Sequence, residues 1–593
     1  MTVRAISDND LDRALLTDIT KFEDMLARYR AGDVDEDVFR SFRLSNGVYG
    51  QRQGNDNQMI RVKVPYGSLT PEQLDLLGDL VESHSRGFGH ITSRQNIQFH
   101  FVHLDAVPEV LRLLASVGLT TREACGDVVR NVQGCHLAGA CPVEILDITQ
   151  WAEAAYRLFL RNPIAQRLPR KFKVNFSGCA TDCGQAMFND IGVIAVATTD
   201  ESGATQVGFR VYVAGGLGAN PHPALALEPF TTREDLLPTL EAILRVFDQA
   251  GNRENKLRAR MKWLVDTIGF DEVQRRVMEV RRLLPASSSY PGGIPHQVHE
   301  FGDEPAAGIA VGEITTLGQG TPVQIRGVSP FDRWSSTNVV RGVRDATVSV
   351  YAHAFLGDIT GDQFRGLAGI QRAVDADVRI TNRQNVVFRG IDADRLGSVH
   401  AALVEIGMAS PGAEFARDVV ACPGADTCNL AITQSRGLAK AIDAALEDAA
   451  LAEVGGIRIN ISGCTNSCGH HHVADIGFHG VERRSHGESV PGYQMLVGGY
   501  VGDERIEFAQ RVCRLPAKNV PAVVVRLVGA FSNARDAGET FAAWIDRAGG
   551  IAVLRASVED LTVVASPAEA PEFYTDFDES VPFAVTLGES ECA

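Results

Sequence analysis

The chain has 593 residues, 45% of them apolar, and a formal charge of −17 at neutral pH. That length exceeds what a single hydrophobic core supports and predicts about three or four domains. The acidic balance excludes nucleic acid and anionic membrane as principal partners, because both require a net cationic face.

Residues 1–40 mix charges at helical spacing without a continuous apolar run, so they read as a helical segment rather than a secretory leader. No run of about 18 apolar residues occurs, and no membrane-spanning helix is expected. A cytoplasmic protein follows, in which the eleven cysteines are metal ligands or buried thiols rather than disulfides. Ile60, Val62 and Val64 alternate with polar neighbours like a half-buried strand, and 71–84 continues at helical period. A strand at 96–104 and a helix at 107–118 complete a small α+β unit. Further on come a helix near 150–161, strands at 173–178, 191–198 and 209–216, and helices at 233–249 and 272–284.

Four blocks then recur in the same order. The stretch "ITSRQNIQFH" (91–100) is echoed by "ITNRQNVVFR" (380–389), and "RNVQGCHLAGAC" (130–141) by "RDVVACPGADTC" (417–428). Cys179, Cys183, Asp190 and Gly192 match Cys464, Cys468, Asp475 and Gly477 at one constant offset, and "VYVAGGLG" (211–218) matches "MLVGGYVG" (495–502). Ordered recurrence of this kind marks an internal duplication. The fold class is therefore α+β in two related halves. Half-domains are expected at 41–120 and 309–408, larger units at 121–284 and 409–550, a Pro/Gly/Ser-rich linker at 285–308 and a C-terminal tail at 551–593.

Cys422 and Cys428 enclose five residues, and Cys464 and Cys468 enclose three, with Gly463 and Gly469 flanking the second pair. Four thiolates, one per iron, are what a 4Fe-4S cluster needs. Structural zinc is the rival, although its cysteine pairs commonly enclose roughly two to four residues. Inert buried thiols would not produce the same pattern twice.

"CPGADTC" followed by "GCTNSCG" resembles the cluster-binding signature of the siroheme sulfite and nitrite reductases, and the duplication resembles their two-half build, each half a ferredoxin-like unit and a larger siroheme/Fe-S unit. The resemblance covers roughly residues 40 to 550. It implies a 4Fe-4S cluster on Cys422, Cys428, Cys464 and Cys468, with Cys468 shared with siroheme iron. It also implies an oxidoreductase whose anion-binding cations are Arg61, Arg130, Lys171 and Lys173, the last two on one face of a strand. Siroheme carboxylates would be held by Arg94, Gln98 and His100, with Arg383 as a partner from the other half; Arg94 is otherwise a structural ion-pair residue. His470, His471 and His472 read as packing or supporting groups rather than ligands.

The chain departs from the family pattern in carrying a second cysteine set, Cys135, Cys141, Cys179 and Cys183, which reads either as a second 4Fe-4S cluster or as thiols left by duplication. Tyr351, Arg417, Gly456 and Arg458 stand where Arg61, Arg130, Lys171 and Lys173 stand in the first half, so one catalytic centre is expected. Some relatives pair a tyrosine with a cysteine beside the heme; Tyr49 is present here, but Val128 takes the cysteine's place and Cys125 reads as a buried thiol. Thr465 replaces a frequent proline.

Sulfite reduction is the first functional reading, because a second lysine suits a doubly charged anion. Nitrite reduction by the same cofactors and a non-catalytic Fe-S electron carrier remain as alternatives. No GxGxxG follows a strand and no flavin or nicotinamide site is evident, so electrons come from ferredoxin or a separate flavoprotein. The basic stretch 251–263 is a candidate docking surface, or else a contributor to packing or to the heme pocket.

Overall fold

A computed structural model describes residues 12–199, 203–290, 293, 329–343, 346–588 and 591. Most of the expected linker, and the start of the second half-domain, lie outside the described residues. Among the described residues no helix is long and apolar enough to cross a membrane.

The predicted elements of the first half form as helix Pro71–His84, strand Asn96–His103, helix Val107–Ser116, helix Thr149–Phe159 and strands Phe172–Ser177, Ile191–Thr199 and Thr205–Val213. Thr70 and Gln73 explain the sharp start of the first helix: each side chain bonds the other residue's backbone N–H, and Pro71 supplies a first-turn residue that needs no donor. Thr360 and Gln363 repeat the device at Gly361–Val374. The N-terminal segment holds helices Arg13–Arg30 and Glu36–Ser45, the second running past the expected boundary at 40.

Each half-domain contributes four antiparallel strands, and each receives its fifth strand from the other half. Strands Val48–Gly50, Asn57–Lys63, Asn96–His103 and Phe88–Ile91 are completed by Asp358–Thr360, with Asp358 opposite His90. Reciprocally, Ser68–Leu69 pairs with Asp377–Ile380 in the second sheet. Helices Pro71–His84 and Gly361–Val374 pack together over this exchange, where Gly78 lets the Gly361 carbonyl approach closely. Arg365 bridges Asp79 at 3.3 Å and Glu82 at 2.5 Å across the same seam. Ile19, Phe22, Leu77, Phe99, Phe364 and Phe388 therefore share one core fed by both halves.

The larger units also match. Strands Val129–Gly134, Phe172–Ser177 and Ile191–Thr199 run parallel before Thr205–Val213 turns back, and Val420–Ala421, Ile459–Ser462, Ile476–Ser485 and Glu488–Val497 repeat that order. Each has its own core, built around Trp151 and Phe176 in one and Ile461 and Phe478 in the other. The C-terminal stretch is not a loose tail. It returns across the molecule, with Asp576 accepting from the Gln434 N–H at 2.9 Å and Glu591 pairing with Arg43 at 2.6 Å.

The seam makes a prediction. A Cβ on Gly78 would sit 2.9 Å from the Gly361 carbonyl oxygen, so Gly78→Leu wedges the two helices apart and costs about 1–3 kcal/mol. A lowered thermal unfolding midpoint is the expected result, and an unchanged midpoint would mean that the helices do not meet there.

Candidate functional site

Parallel pairing is what assembles the C-terminal thiols. Val420 lies opposite Asn460 and Ala421 opposite Ile461, so two strand ends finish side by side and the loops that follow them carry Cys422 and Cys464. The Cys422 N–H bonds the Ile461 carbonyl at 3.2 Å, and Gly463 N–H points at Cys422 Sγ at 3.2 Å. Gly469 has no room for a side chain, since its Cβ would lie 2.1 Å from the Ile461 oxygen. Ser93 reaches over from the first half and donates to the Cys468 carbonyl at 2.7 Å.

The four sulfurs act on one another. Burial, then the neighbouring Cys468, pushes the Cys422 thiol up to about 11, and Cys464 is raised by burial and by Cys468, Cys422 and Cys428. Thiols in this state become good ligands only when a metal displaces their protons. Among the described residues, no three His, Cys, Asp or Glu side chains close on a point that would hold a single ion. Four thiols, one per iron, are the donor set of a 4Fe-4S cluster. Cys468 is exposed while its three partners are partly covered, so one sulfur faces outward from the group.

Beside this group lies a shell of positive charge. Arg94 is flanked by Arg130, Arg260 and Arg61, and Lys173 by Arg94, Arg260 and Lys171. Asp190, fully buried, is the carboxylate facing them: it accepts from the Lys173 N–H at 3.0 Å and from Arg260 at 2.6 Å. Burial, reinforced by Arg130, pulls Arg94 down to about 9. Burial and then Arg94, Arg260 and Lys171 hold the Lys173 ammonium well below the usual lysine range. Arg61 donates to the Tyr49 hydroxyl at 3.0 Å and, in the amide orientation that satisfies both partners, to the Gln98 oxygen at 2.9 Å.

His100 shares a strand face with Gln98 but sits among Arg86, His90 and Arg436. It is buried, and neither ring nitrogen has a hydrogen-bond partner among the described residues. The buried Arg94 Nε is likewise unpartnered. Unsatisfied buried donors next to excess cations are what a polycarboxylate tetrapyrrole would answer, so the residues present fit siroheme.

Arg383 comes from the other half, at the position duplicating Arg94, where it pairs with Glu414 at 2.6 Å and bonds the Asp418 carbonyl at 3.1 Å. The remaining counterparts are neutralised as well: Arg417 pairs with Asp443 at 3.1 Å, Arg458 with Asp475 at 3.1 Å, and the Tyr351 hydroxyl bonds His136 at 2.7 Å.

The stretch 251–263 divides. Arg253 and Lys256 are spent on Asp248 and Asp127, whereas Arg260 and Lys262 turn inward, Lys262 donating to the Leu217 carbonyl at 3.0 Å. Arg260 and Asp190 are site residues that the motif reading missed, and the recurrence of Asp190 as Asp475 was the available signal. His471 bonds Ser462 at 2.9 Å, beside the cysteine turn, while His472 bonds the Gly218 carbonyl of the first half at 2.9 Å. Cys125 is buried in a cluster with Leu44, Tyr49 and Met59. A cleft of about 700 Å³ opens beside the Cys422–Cys428 loop, but Arg52, Arg86, Arg436 and Lys440 there face Asp358, Asp426, Asp578 and Glu579. Its charge is balanced, so the anion-attracting place is the shell around Lys173.

Thiols at paired strand ends beside a cationic shell define a redox protein that handles an anion. The family comparison agrees. Models of the "Nitrite and sulphite reductase 4Fe-4S domain" match residues 125–282 and 412–563, and those of the "Nitrite/Sulfite reductase ferredoxin-like half domain" match 49–117 and 341–406. The chain belongs to the nitrite and sulfite reductase family, an oxidoreductase family with siroheme and a 4Fe-4S cluster. It is 29% identical to the assimilatory ferredoxin-dependent nitrite reductase of Haloferax mediterranei, over 91% of this chain and 89% of that one. It is also 29% identical to the sulfite reductase (ferredoxin) of Mycobacterium tuberculosis, over 89% of this chain and 92% of that protein. The solved structure of the Mycobacterium tuberculosis NirA protein superposes with a TM-score of 0.73 at 27% identity, covering 89% of this chain and 94% of that chain.

A pH dependence follows from Lys173. Its proton is held weakly by burial and by Arg94, Arg260 and Lys171, with only Asp190 opposing. A bound anion strengthens that hold, so binding takes up a proton. Affinity is then full below the depressed pKa of the free enzyme and falls as pH rises through it, by at most about tenfold per pH unit. KM for the anion should therefore climb with pH, and Lys173→Met should flatten that rise; an equally steep rise in the variant would assign the titration to another group.

Proposed function

We propose that this chain reduces sulfite to sulfide in a six-electron reaction, with Cys422, Cys428, Cys464 and Cys468 holding the 4Fe-4S cluster and Cys468 shared with siroheme iron. When bound, these cofactors supply the electron storage and the reducible iron. The protein's own contribution is electrostatic. Arg61, Arg130, Lys171 and Lys173 hold the oxyanion, and Lys173, with its depressed pKa, is placed to give up a proton as an oxygen departs. Arg94, Gln98 and His100 answer the tetrapyrrole carboxylates.

The observation that carries sulfite over nitrite is the second lysine. Lys171 and Lys173 act on one another within a shell already holding Arg94 and Arg260, and that density of positive charge suits a dianion better than a monoanion. Nitrite reduction to ammonia is the second reading, favoured by the name of the Haloferax relative. Ferredoxin is the donor we propose, as the names of both relatives specify, with a flavoprotein as the alternative.

Anaerobic enzyme from a siroheme-producing host, reduced by methyl viologen, tests the reading. Siroheme absorption bands and a higher kcat/KM for sulfite than for nitrite are expected. Lys173→Asn should lower the sulfite value by about 10–100-fold and the nitrite value less. A wild-type preference for nitrite, with Lys173→Asn affecting both anions equally, would replace sulfite by the second reading.

A further inference from the structure

The N-terminal cysteines are held by the same backbone framework as the C-terminal ones. Cys135 N–H bonds the Phe176 carbonyl at 2.9 Å, as Cys422 N–H bonds Ile461 at 3.2 Å. Ile145 N–H bonds the Gly178 carbonyl at 2.8 Å, as Ile432 bonds Gly463 at 2.8 Å. Gly184 and Gly469 each take a hydroxyl as acceptor for their N–H, Ser177 at 3.1 Å and Ser462 at 3.0 Å. Each would also drive a Cβ to within about 2 Å of a strand carbonyl, 2.0 Å for Gly184 and 2.1 Å for Gly469. Even the clamp from the opposite half is duplicated: Asn382 donates to the Cys183 carbonyl at 2.6 Å, where Ser93 donates to Cys468 at 2.7 Å.

Within that frame the sulfurs converge. The Cys183 thiol lies against Cys135, Cys141 faces Cys179 and Cys135, and no disulfide joins any described cysteine. Around them lie buried cations with too few acceptors. Arg379 is 1% exposed and Arg389 7% exposed, and both keep unpartnered guanidinium nitrogens among the described residues. Their carboxylate contact is Asp377, which is itself 45% exposed on its side chain, and Asp147 also faces them. Glu144 also lies near them, its carboxylate accepting from the Gly139 N–H at 2.6 Å. Two buried guanidiniums sharing one half-exposed carboxylate contact are costly, and four cluster-bound thiolates carry net negative charge.

We propose that Cys135, Cys141, Cys179 and Cys183 hold a second 4Fe-4S cluster, one without a heme beside it. The heme is excluded by what stands around Cys183. Cys468 is exposed, and His470, two residues further on, lies near Lys173 and Arg94. Cys183 is partly covered and packs in its domain core, near Tyr351, and Tyr351 occupies the place of Arg61 and is closed by its bond to His136. Iron and sulfide enter together as the preformed cube, the four thiol protons leave to solvent, and no change of oxidation state is required.

Counting metal in the anaerobic holoprotein tests this directly. Two cubes and one siroheme iron give about nine iron and about eight acid-labile sulfides per chain, against about five and about four for a single cube. The paired substitution Cys179→Ser with Cys183→Ser should remove about four of each while leaving the siroheme bands in place, and Cys464→Ser should remove those bands. About five iron in the wild-type protein would overturn the proposal, whether or not the double variant folds. About eight iron with no tetrapyrrole absorption would uphold the second cluster and sink the siroheme reading instead.

Discussion

Positive charge gathered around one buried carboxylate is the constraint on which the rest of the structure depends. Arg61, Arg94, Arg130, Lys171, Lys173 and Arg260 converge, with Asp190 as the buried carboxylate that answers them. At an effective dielectric near 20, like charges about 4 Å apart cost on the order of 4 kcal/mol, whereas an exposed ion pair returns roughly 0–1 kcal/mol. No arrangement of surface pairs offsets that. The scaffold does so by rigid placement: the strand Phe172–Ser177 fixes Lys173, with Lys171 just before the strand rather than on its face as expected, and the 92–96 turn holds Arg94 through the Asn131 carbonyl at 2.9 Å. The shell is thus strained toward anions before any is present, which is the preorganisation that catalysis on an oxyanion requires. It does so inside a chain whose overall charge is −17, so the attraction is local.

The exchange of edge strands follows from the same need. Arg94 and Ser93 come from a half-domain of the first repeat, while the cysteines they serve come from the second repeat's larger unit. Two repeats joined only by a linker would let that spacing drift. Asp358–Thr360 and Ser68–Leu69, each completing the other half's sheet, bind the turn to the cluster loops at fixed register. The returning C-terminal stretch adds a second tie, since Arg52 donates both to the Ala431 carbonyl at 2.8 Å in the cysteine loop and to the Thr586 carbonyl at 2.7 Å.

What was legible in the sequence was whatever is local or repeated. Cysteine spacing, the glycine beside each pair and the alternation of Ile60, Val62 and Val64 all act over a few residues, and the helix 71–84 carries its own start signal in Thr70 and Gln73. The cations Arg61, Arg94, Arg130, Lys171 and Lys173 were legible through motif context, and Gln98 with them. The partner of Arg383 was not legible, because Glu414 lies 31 residues further along the chain and only the tertiary structure brings the two together. The run of charges at 251–263 left docking and pocket readings both open for Arg260 and Lys262, and the strand exchange left no local trace because two or three residues of extended chain carry no periodicity.

Comparison of the two halves separates scaffold from chemistry. Backbone hydrogen bonds around both cysteine sets agree within a few tenths of an ångström, so the frame that presents four thiols does not depend on what surrounds it. Side-chain charge does differ. Arg61 faces Tyr49 and Gln98, whereas Tyr351 at the duplicated place is closed by His136; Arg94 bonds the neutral Asn131 carbonyl and the Asn175 and Asn189 side chains, whereas Arg383 pairs with the Glu414 carboxylate. A frame that holds thiols and a shell that attracts anions are therefore separable properties of this fold. The first half of the chain supplies the cationic shell and the second half the exposed Cys468, and Ser93 ties the two together through the Cys468 carbonyl, so the reactive centre we propose lies where the halves meet.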